Sequence, residues 1–370
     1  MWPPFKIEEF WKKYEFSVPN LLCTSDAETF QLSEILSMAD TECLHLWNEL
    51  HLGYTESKGK PLLRKEIAKQ YQVGAEGIVV FGGAEEAIFC TLNALILKND
   101  HVVVLTPAYQ SLKTVPEMIG ADVSTVSLDD GVLDLDKLKA SIKPNTKAIV
   151  MNFPHNPTGA LLEVSTFRQV IEIAKSSDAF IVVDELYRYF ELDESKRLPQ
   201  IADAYGKGIS INAMTKTYGL AGLRIGWVVS QEKAFIEKVS SFKLYTTCCN
   251  SSTSEILAII ALRAKDRVLA RNRQILLENF RLLDAFYERH LDFFEWIKPQ
   301  AGPITLFKIK GSAQKWVEGL IKQKKLLVMP GNVFDLSDDI LRLGFGKKSF
   351  AKQLKLFEEY VLENKKATHY

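Results

Sequence analysis

Neither sign of charge is in excess in this chain: lysine plus arginine and aspartate plus glutamate both number 46 among 370 residues. That balance argues against a basic nucleic-acid footprint and against a polybasic membrane anchor. Cysteine is scarce as well. The five, at 23, 43, 90, 248 and 249, form no CxxC pair and no ligand-like spacing with histidine. The expectation is a reduced, cytoplasmic protein with neither a disulfide framework nor a metal site. No apolar run approaches the roughly 18 residues of a membrane span. The opening residues, Met-Trp-Pro-Pro-Phe-Lys-Ile-Glu-Glu, lack the basic stretch and apolar core of a signal peptide. Internal repeats, low-complexity segments and Gly/Ser/Pro linkers are also missing, so a domain boundary is expected to run through a helix. What is present is 47% apolar and 25% charged residues, an ordinary globular composition at about twice the usual domain length.

From about residue 58 to 230, short β-branched runs alternate with longer amphipathic stretches. The strand candidates are 78–81, 102–105, 122–127, 148–151, 180–183, 208–211 and 225–229. Helix candidates at 84–98, 108–119 and 164–176 lie between them. Several of the strands are continuously apolar, as expected where both faces of a sheet are covered. This order predicts an α/β unit with a mainly parallel sheet. Helices are then expected at 251–264 and 266–290, the second long enough to bridge two domains. Strand-like 305–309, a helix at 313–324, strands at 326–329 and 340–343 and a closing helix at 348–363 read as a smaller α+β unit.

Three features follow strands of the large unit, where open α/β sheets bind ligands. Asn152-Phe-Pro-His-Asn-Pro-Thr-Gly159 follows one strand, and Val183-Asp-Glu-Leu-Tyr-Arg188 follows the next. Lys216 lies in Met-Thr-Lys-Thr-Tyr-Gly-Leu-Ala-Gly-Leu-Arg-Ile-Gly, eight residues before Arg224. A lysine amine can form a Schiff base with an aldehyde, and an arginine can hold a phosphate. Taken singly, each segment reads more readily as a loop, a helix cap or a surface charge. Gly82-Gly-Ala-Glu-Glu-Ala87, between a strand and a helix, offers free N–H groups to an anion. The glycines at 219–226 lack GxGxxG spacing and no acidic residue follows at the right distance, which argues against an NAD-binding oxidoreductase.

As an ordered set, Asn-Pro-Thr-Gly, Asp-Glu-x-Tyr and Thr-Lys-Thr-x-Gly-x-x-Gly-x-Arg-x-Gly resemble the fold type I pyridoxal-phosphate enzymes of the class I/II aminotransferase superfamily. The likeness runs from about Tyr54 to Phe345. It implies a large cofactor-binding domain at 45–278 and a small domain made of 1–44 and 279–370. It also implies pyridoxal 5′-phosphate as cofactor, held as a Schiff base on Lys216, which later serves as the proton-transfer base. Asp184 would pair with the pyridine nitrogen, and Asn156 and Tyr187 would hydrogen-bond the phenolic oxygen. Gly83, Ala84 and Glu85 would cradle the phosphate with Thr215, while Arg224 clamps it. Tyr109 would stack on the ring. Tyr54 would reach the phosphate of a neighbouring subunit, implying a homodimer. Arg342, with Asn156, would bind the substrate carboxylate.

Two positions depart from the family pattern. Glu85 stands where Ser or Thr is common, so its carboxylate is expected to turn from the phosphate and leave only its N–H. Ala213 replaces a serine, removing one phosphate hydrogen bond worth about 1 kcal/mol. The implied reaction moves an amino group from an amino acid to a 2-oxo acid. A lyase, cyclase or decarboxylase of the same fold is the alternative, because 20–30, which by the resemblance would line the substrate side, looks like the capreomycidine synthase-like branch. A regulator on this fold would carry a DNA-binding region, yet only about 50 residues precede Tyr54 and they hold no basic helix pair. No arginine lies between Tyr245 and Ser254 for a second carboxylate, so aspartate and glutamate are expected to be weak donors. Phe30, Tyr189 and Phe334 fit either a pocket wall or core packing.

Overall fold

The computed structural model describes residues 1–129 and 131–367. Eight strands form the main sheet, in the spatial order Ile78–Phe81, Gly226–Ser230, Gly208–Ala213, Phe180–Asp184, Thr146–Asn152, His101–Thr106, Asp122–Asp129 and Val132–Leu133. The five from Gly208–Ala213 to Asp122–Asp129 run parallel. The Ile78–Phe81 and Gly226–Ser230 strands pair antiparallel, as do Gly226–Ser230 and Gly208–Ala213 at one side and the short Val132–Leu133 at the other. The sheet is therefore mixed, with the parallel core that the β-then-α order predicts.

The continuous apolar runs are explained by alternation. Val102 and Val104 enter one buried cluster while Val103 and Leu105 enter another on the opposite face. Helices Ala84–Leu95, Gln110–Ile119 and Lys233–Lys243 cover the first face, and Val164–Ser176 helps to cover the second. With water excluded from both faces, either parity of a strand must be apolar.

A second sheet of four strands, in the order Glu295–Ile297, Ile304–Lys308, Ile340–Gly344 and Met329–Pro330, is antiparallel throughout. Near it the two ends of the chain meet: Asn20–Leu21 pairs parallel with Leu326–Leu327. Their shared core joins Ile7, Leu22 and Cys23 to Phe307, Trp316 and Phe357. The 24-residue helix Lys265–Glu288 runs between clusters, with Val268 in the one beneath the main sheet and Leu276, Leu283 and Phe286 in the one at the chain ends. This is the bridging helix expected from its amphipathic pattern.

The N-terminal helix Lys6–Tyr14 has no counterpart in the sequence expectations. Glu8 and Glu9 in its first turn and Lys12 and Lys13 in its last complement the helix dipole. Ile7 is buried, and Phe10, Trp11 and Tyr14 pack on the same core.

Candidate active site

All the parallel strands end at one edge of the sheet, and the chemistry-bearing residues gather there. Register pairs Asn152 with Asp184 at the last positions of adjacent strands. The Asn152 side chain donates to the Asp184 carbonyl at 2.8 Å, and its amide oxygen accepts the Asn156 backbone N–H at 2.8 Å. One strand end thereby fixes the loop carrying Asn156. His155 ties the same loop to the segment bearing Tyr109: its Nε2 donates to the Pro107 carbonyl at 2.8 Å, and its Nδ1 meets the Thr158 hydroxyl at 2.8 Å. Burial lowers that histidine to about 4, so it is a neutral strut.

These residues line a cavity of about 570 Å3 with Ala84, Glu85, Tyr109, Tyr187, Thr215, Lys216, Arg224 and Arg342, within the range of small-molecule sites. Lys216 Nζ is 2.9 Å from Ser25 Oγ. Burial pushes its amine below the ordinary lysine value, opposed by Asp26. Asp184 is buried and raised to about 6, chiefly by loss of solvent, although the Leu186 N–H and Lys216 act in the other direction. Strand alternation sends the adjacent Glu185 elsewhere, where it accepts from the Ile201 N–H at 2.9 Å and lies 3.0 Å from the Ser210 hydroxyl. Only the first acid of the Asp-Glu pair faces the cavity.

Arg342 projects from the Ile340–Gly344 strand, donating to Asn156 Oδ1 at 3.2 Å and to the Cys23 carbonyl at 2.8 Å. Its Nε and the Tyr187 hydroxyl are buried without hydrogen-bond partners among the described residues. Such orphaned groups are costly unless a ligand completes them.

The anion end is built from close backbone approach. Gly83, at φ +109°, precedes the Ala84–Leu95 helix, and a Cβ on it would lie 2.4 Å from Arg224 Nη2. A Cβ on Gly226 would lie 2.6 Å from the Gly83 carbonyl carbon. These two glycines let the helix N-terminus and Arg224 converge, which favours a phosphate. Arg224 otherwise makes only long contacts, 3.4 Å to the Ala221 carbonyl and 3.3 Å to that of Gly82. Glu85 does lean away, as expected: its carboxyl is 2.9 Å from the Ser111 hydroxyl, and burial raises it to about 7.

Of the residues expected at the site, only Gly83 and Tyr54 do not line the cavity. Gly83 backs it, and Tyr54 is almost fully exposed. Ala213 is fully buried at a strand end and also lies outside the lining. Phe30, Tyr189 and Phe334 do not wall the pocket either. Phe30 lies under Arg271, Tyr189 bonds Gln70, and Phe334 lies beneath the Arg342 guanidinium. The apolar lining comes instead from Phe5, Ile7 and Trp11, with Glu8 beside them, and from Ile88 and Leu186. Sequence reasoning missed these, along with Asn152, whereas Ser25 falls in the 20–30 segment expected on the substrate side. Asn152 ends a strand within a motif already singled out, so its position was signal enough; the N-terminal helix carries no motif.

The family model of aminotransferase class I and II matches residues 22–354. The chain is similar to a solved PLP-dependent aminotransferase from Streptococcus suis, with 30% identity, 98% of each chain covered and a TM-score of 0.92. It is also similar to the solved PLP-dependent cyclase OrfR, at 27% identity, 98% of each chain and a TM-score of 0.90. An aspartate aminotransferase from Thermotoga maritima is 26% identical over 332 residues, covering 86% of this chain and 84% of that one.

Proposed function

This chain belongs to the class I and II aminotransferase family, and from that premise we propose how its residues divide the work of a pyridoxal-phosphate-dependent transaminase. The protein is such an enzyme, with pyridoxal 5′-phosphate as its cofactor. The observation that carries the assignment of residues is a single cavity that holds Lys216, Asp184, Arg224 and Arg342 together with the orphaned Tyr187 hydroxyl.

The residues fit the cofactor. When bound, it supplies an electron sink for the bond broken at the substrate Cα. Asp184 is a buried carboxylate in want of a cation and holds a proton on the pyridine nitrogen. Asn156 and Tyr187 donate to the phenolic oxygen, and Tyr109 covers one ring face. Arg224, Thr215 and the N–H groups of Gly83, Ala84 and Glu85 take the phosphate. Lys216 carries the cofactor, and its lowered pKa favours the neutral amine that moves a proton at Cα. Arg342 binds the α-carboxylate, with Asn156 orienting it.

Tyr54 serves a partner subunit in a homodimer. It stands exposed, as do Leu52 and Tyr245, and the adjacent Thr55 hydroxyl donates to the Asn250 carbonyl at 2.9 Å. The large domain spans 45–278, and 1–44 with 279–370 form the small one. No helix among the described residues is long and apolar enough to cross a membrane, and we place the enzyme in the cytoplasm.

The test is an absorption spectrum of the holoenzyme with amino acids added singly. Loss of the visible cofactor band, with a 2-oxo acid released and the band restored by a second 2-oxo acid, is expected. A band that persists while ammonia, carbon dioxide or a cyclised product accumulates would favour the lyase, decarboxylase or cyclase reading. Lys216→Ala should lack the band altogether.

A further inference from the structure

Once the cofactor and the α-carboxylate of the substrate are held, the substrate side chain is left to the wall made by the N-terminal helix. Phe5, Ile7 and Trp11 on that wall are apolar and suit a methylene stem. Glu8 is the one ionisable side chain that the Lys6–Tyr14 helix contributes to the cavity lining. Resting on the transaminase reading above, we propose that Glu8 is a specificity residue that recognises an amino acid with a cationic side chain, an ammonium or guanidinium on an aliphatic stem.

Three observations carry this. First, Glu8 is held in place: it accepts the Tyr109 hydroxyl at 2.8 Å. Its helix is docked by Gln110, which accepts the Lys6 N–H at 2.9 Å and donates to the Pro4 carbonyl at 2.9 Å, and by the Phe5 and Tyr109 rings, whose centroids are 5.3 Å apart. Second, the helix lysines are engaged elsewhere, Lys6 with Asp335, Lys12 with Glu9 and Lys13 over the Tyr14 ring. Third, the charges of the cavity do not cancel once ligands are in place. Lys216, Arg224, Arg342 and Asp184 each face the cofactor or the substrate carboxylate, Glu85 turns to Ser111, and Asp26 is paired with Lys347. Glu8 lines the cavity while remaining exposed to solvent, and among the described residues no cation is paired with it. A substrate cation neutralises it; a substrate carboxylate would meet repulsion there.

The test uses the holoenzyme and pairs each cationic amino acid with an uncharged one of similar shape: ornithine with norvaline, lysine with norleucine, arginine with citrulline, and glutamate as the acidic probe. Single-turnover loss of the cofactor band gives kcat/KM for each. Equilibrium titration with α-methylornithine, which lacks the Cα proton and binds without turnover, gives Kd separately. A cationic preference of about tenfold to a hundredfold over the matched neutral is expected. Glu8→Gln should collapse that ratio and weaken α-methylornithine binding to the same degree, and Glu8→Lys should shift preference toward glutamate. Equal use of cationic and neutral partners by the unaltered enzyme overturns the proposal. So does a Glu8→Gln variant that loses both equally, because Glu8 would then merely position Tyr109. Those results leave transamination intact. Failure of every amino acid to change the band would instead sink the transaminase reading, and this proposal with it.

Discussion

The inner wall of the cavity and its outer wall are held by different kinds of contact. On the inner wall, Asn152 and Asp184 end neighbouring strands that are paired residue by residue, and every residue of Phe180–Asp184 is buried. On the outer wall, one nine-residue helix is clamped through Tyr109, Gln110 and Asp335, and most of its polar residues face solvent. Groups needed for the shared chemistry sit on the part of the molecule least able to shift. Groups that meet the variable end of the substrate sit on a part that can be re-faced by substitution without disturbing the sheet. The contrast makes a division testable: inner-wall changes should stop the reaction, and outer-wall changes should redirect it.

The largest expected effect is at Asp184. Asp184→Ala removes the carboxylate proposed to compensate the pyridine nitrogen, and the single-turnover rate should fall about 10²- to 10³-fold, a loss typical of one preorganised electrostatic partner. Trp11→Ala is its counterpart on the outer wall and should raise KM with little change in the maximal rate. A comparable fall in rate for Trp11→Ala would erase the distinction.

A second test sharpens the comparison through pH. Asp184 is raised to about 6, and Glu85 and Glu185 to about 7, in each case first by burial. Their unfolded forms titrate near 4, so between about pH 4 and 7 these three carboxyls hold more protons in the native protein than in the unfolded chain, opposed by the histidine His155, lowered to about 4. Stability of the cofactor-free protein should therefore fall as pH rises through that window and level off above it. Cofactor brings a cation to Asp184, so the melting temperature of the loaded protein should decline less steeply between pH 5 and 8. Parallel slopes for the two forms would show that Asp184 is not the group relieved.

The smallest effect is expected at Ala213. Restoring a hydroxyl with Ala213→Ser should tighten cofactor binding by about fivefold at most, the worth of one hydrogen bond. Since Ala213 lies outside the cavity lining, no change in cofactor retention on dialysis would show that a serine there cannot reach the phosphate. A gain well above that figure would mean that the inner wall adjusts more than its burial suggests.

Much of the inner wall was legible in the sequence because each of its pieces is a short-range event. A β-branched run dictates a strand, the next few residues leave its carboxyl end, and parallel order brings several such ends to one edge. Lys216, Asp184 and Asn156 were marked as candidates on those terms, and their roles, with that of Arg224, came from the resemblance of the ordered motifs. The turning of Glu85 was legible too, since a carboxylate beside a phosphate site must find another partner and finds Ser111. Ser25 was foreseen only as part of the 20–30 segment, since nothing local marks it as the partner of Lys216. It reaches Lys216 from 191 positions away.

By itself, then, the sequence determined the parallel core, through strand runs and turns encoded in place, and, through the resemblance its ordered motifs carry, the cofactor and the residues proposed to hold it. Only the tertiary structure decided what faces the substrate. Lys6–Tyr14 is an ordinary amphipathic helix, and its pattern specifies an apolar face without specifying what that face will cover. Its docking beside Tyr109, across a separation of 101 residues from Glu8, is what brings the exposed Glu8 into the cavity lining.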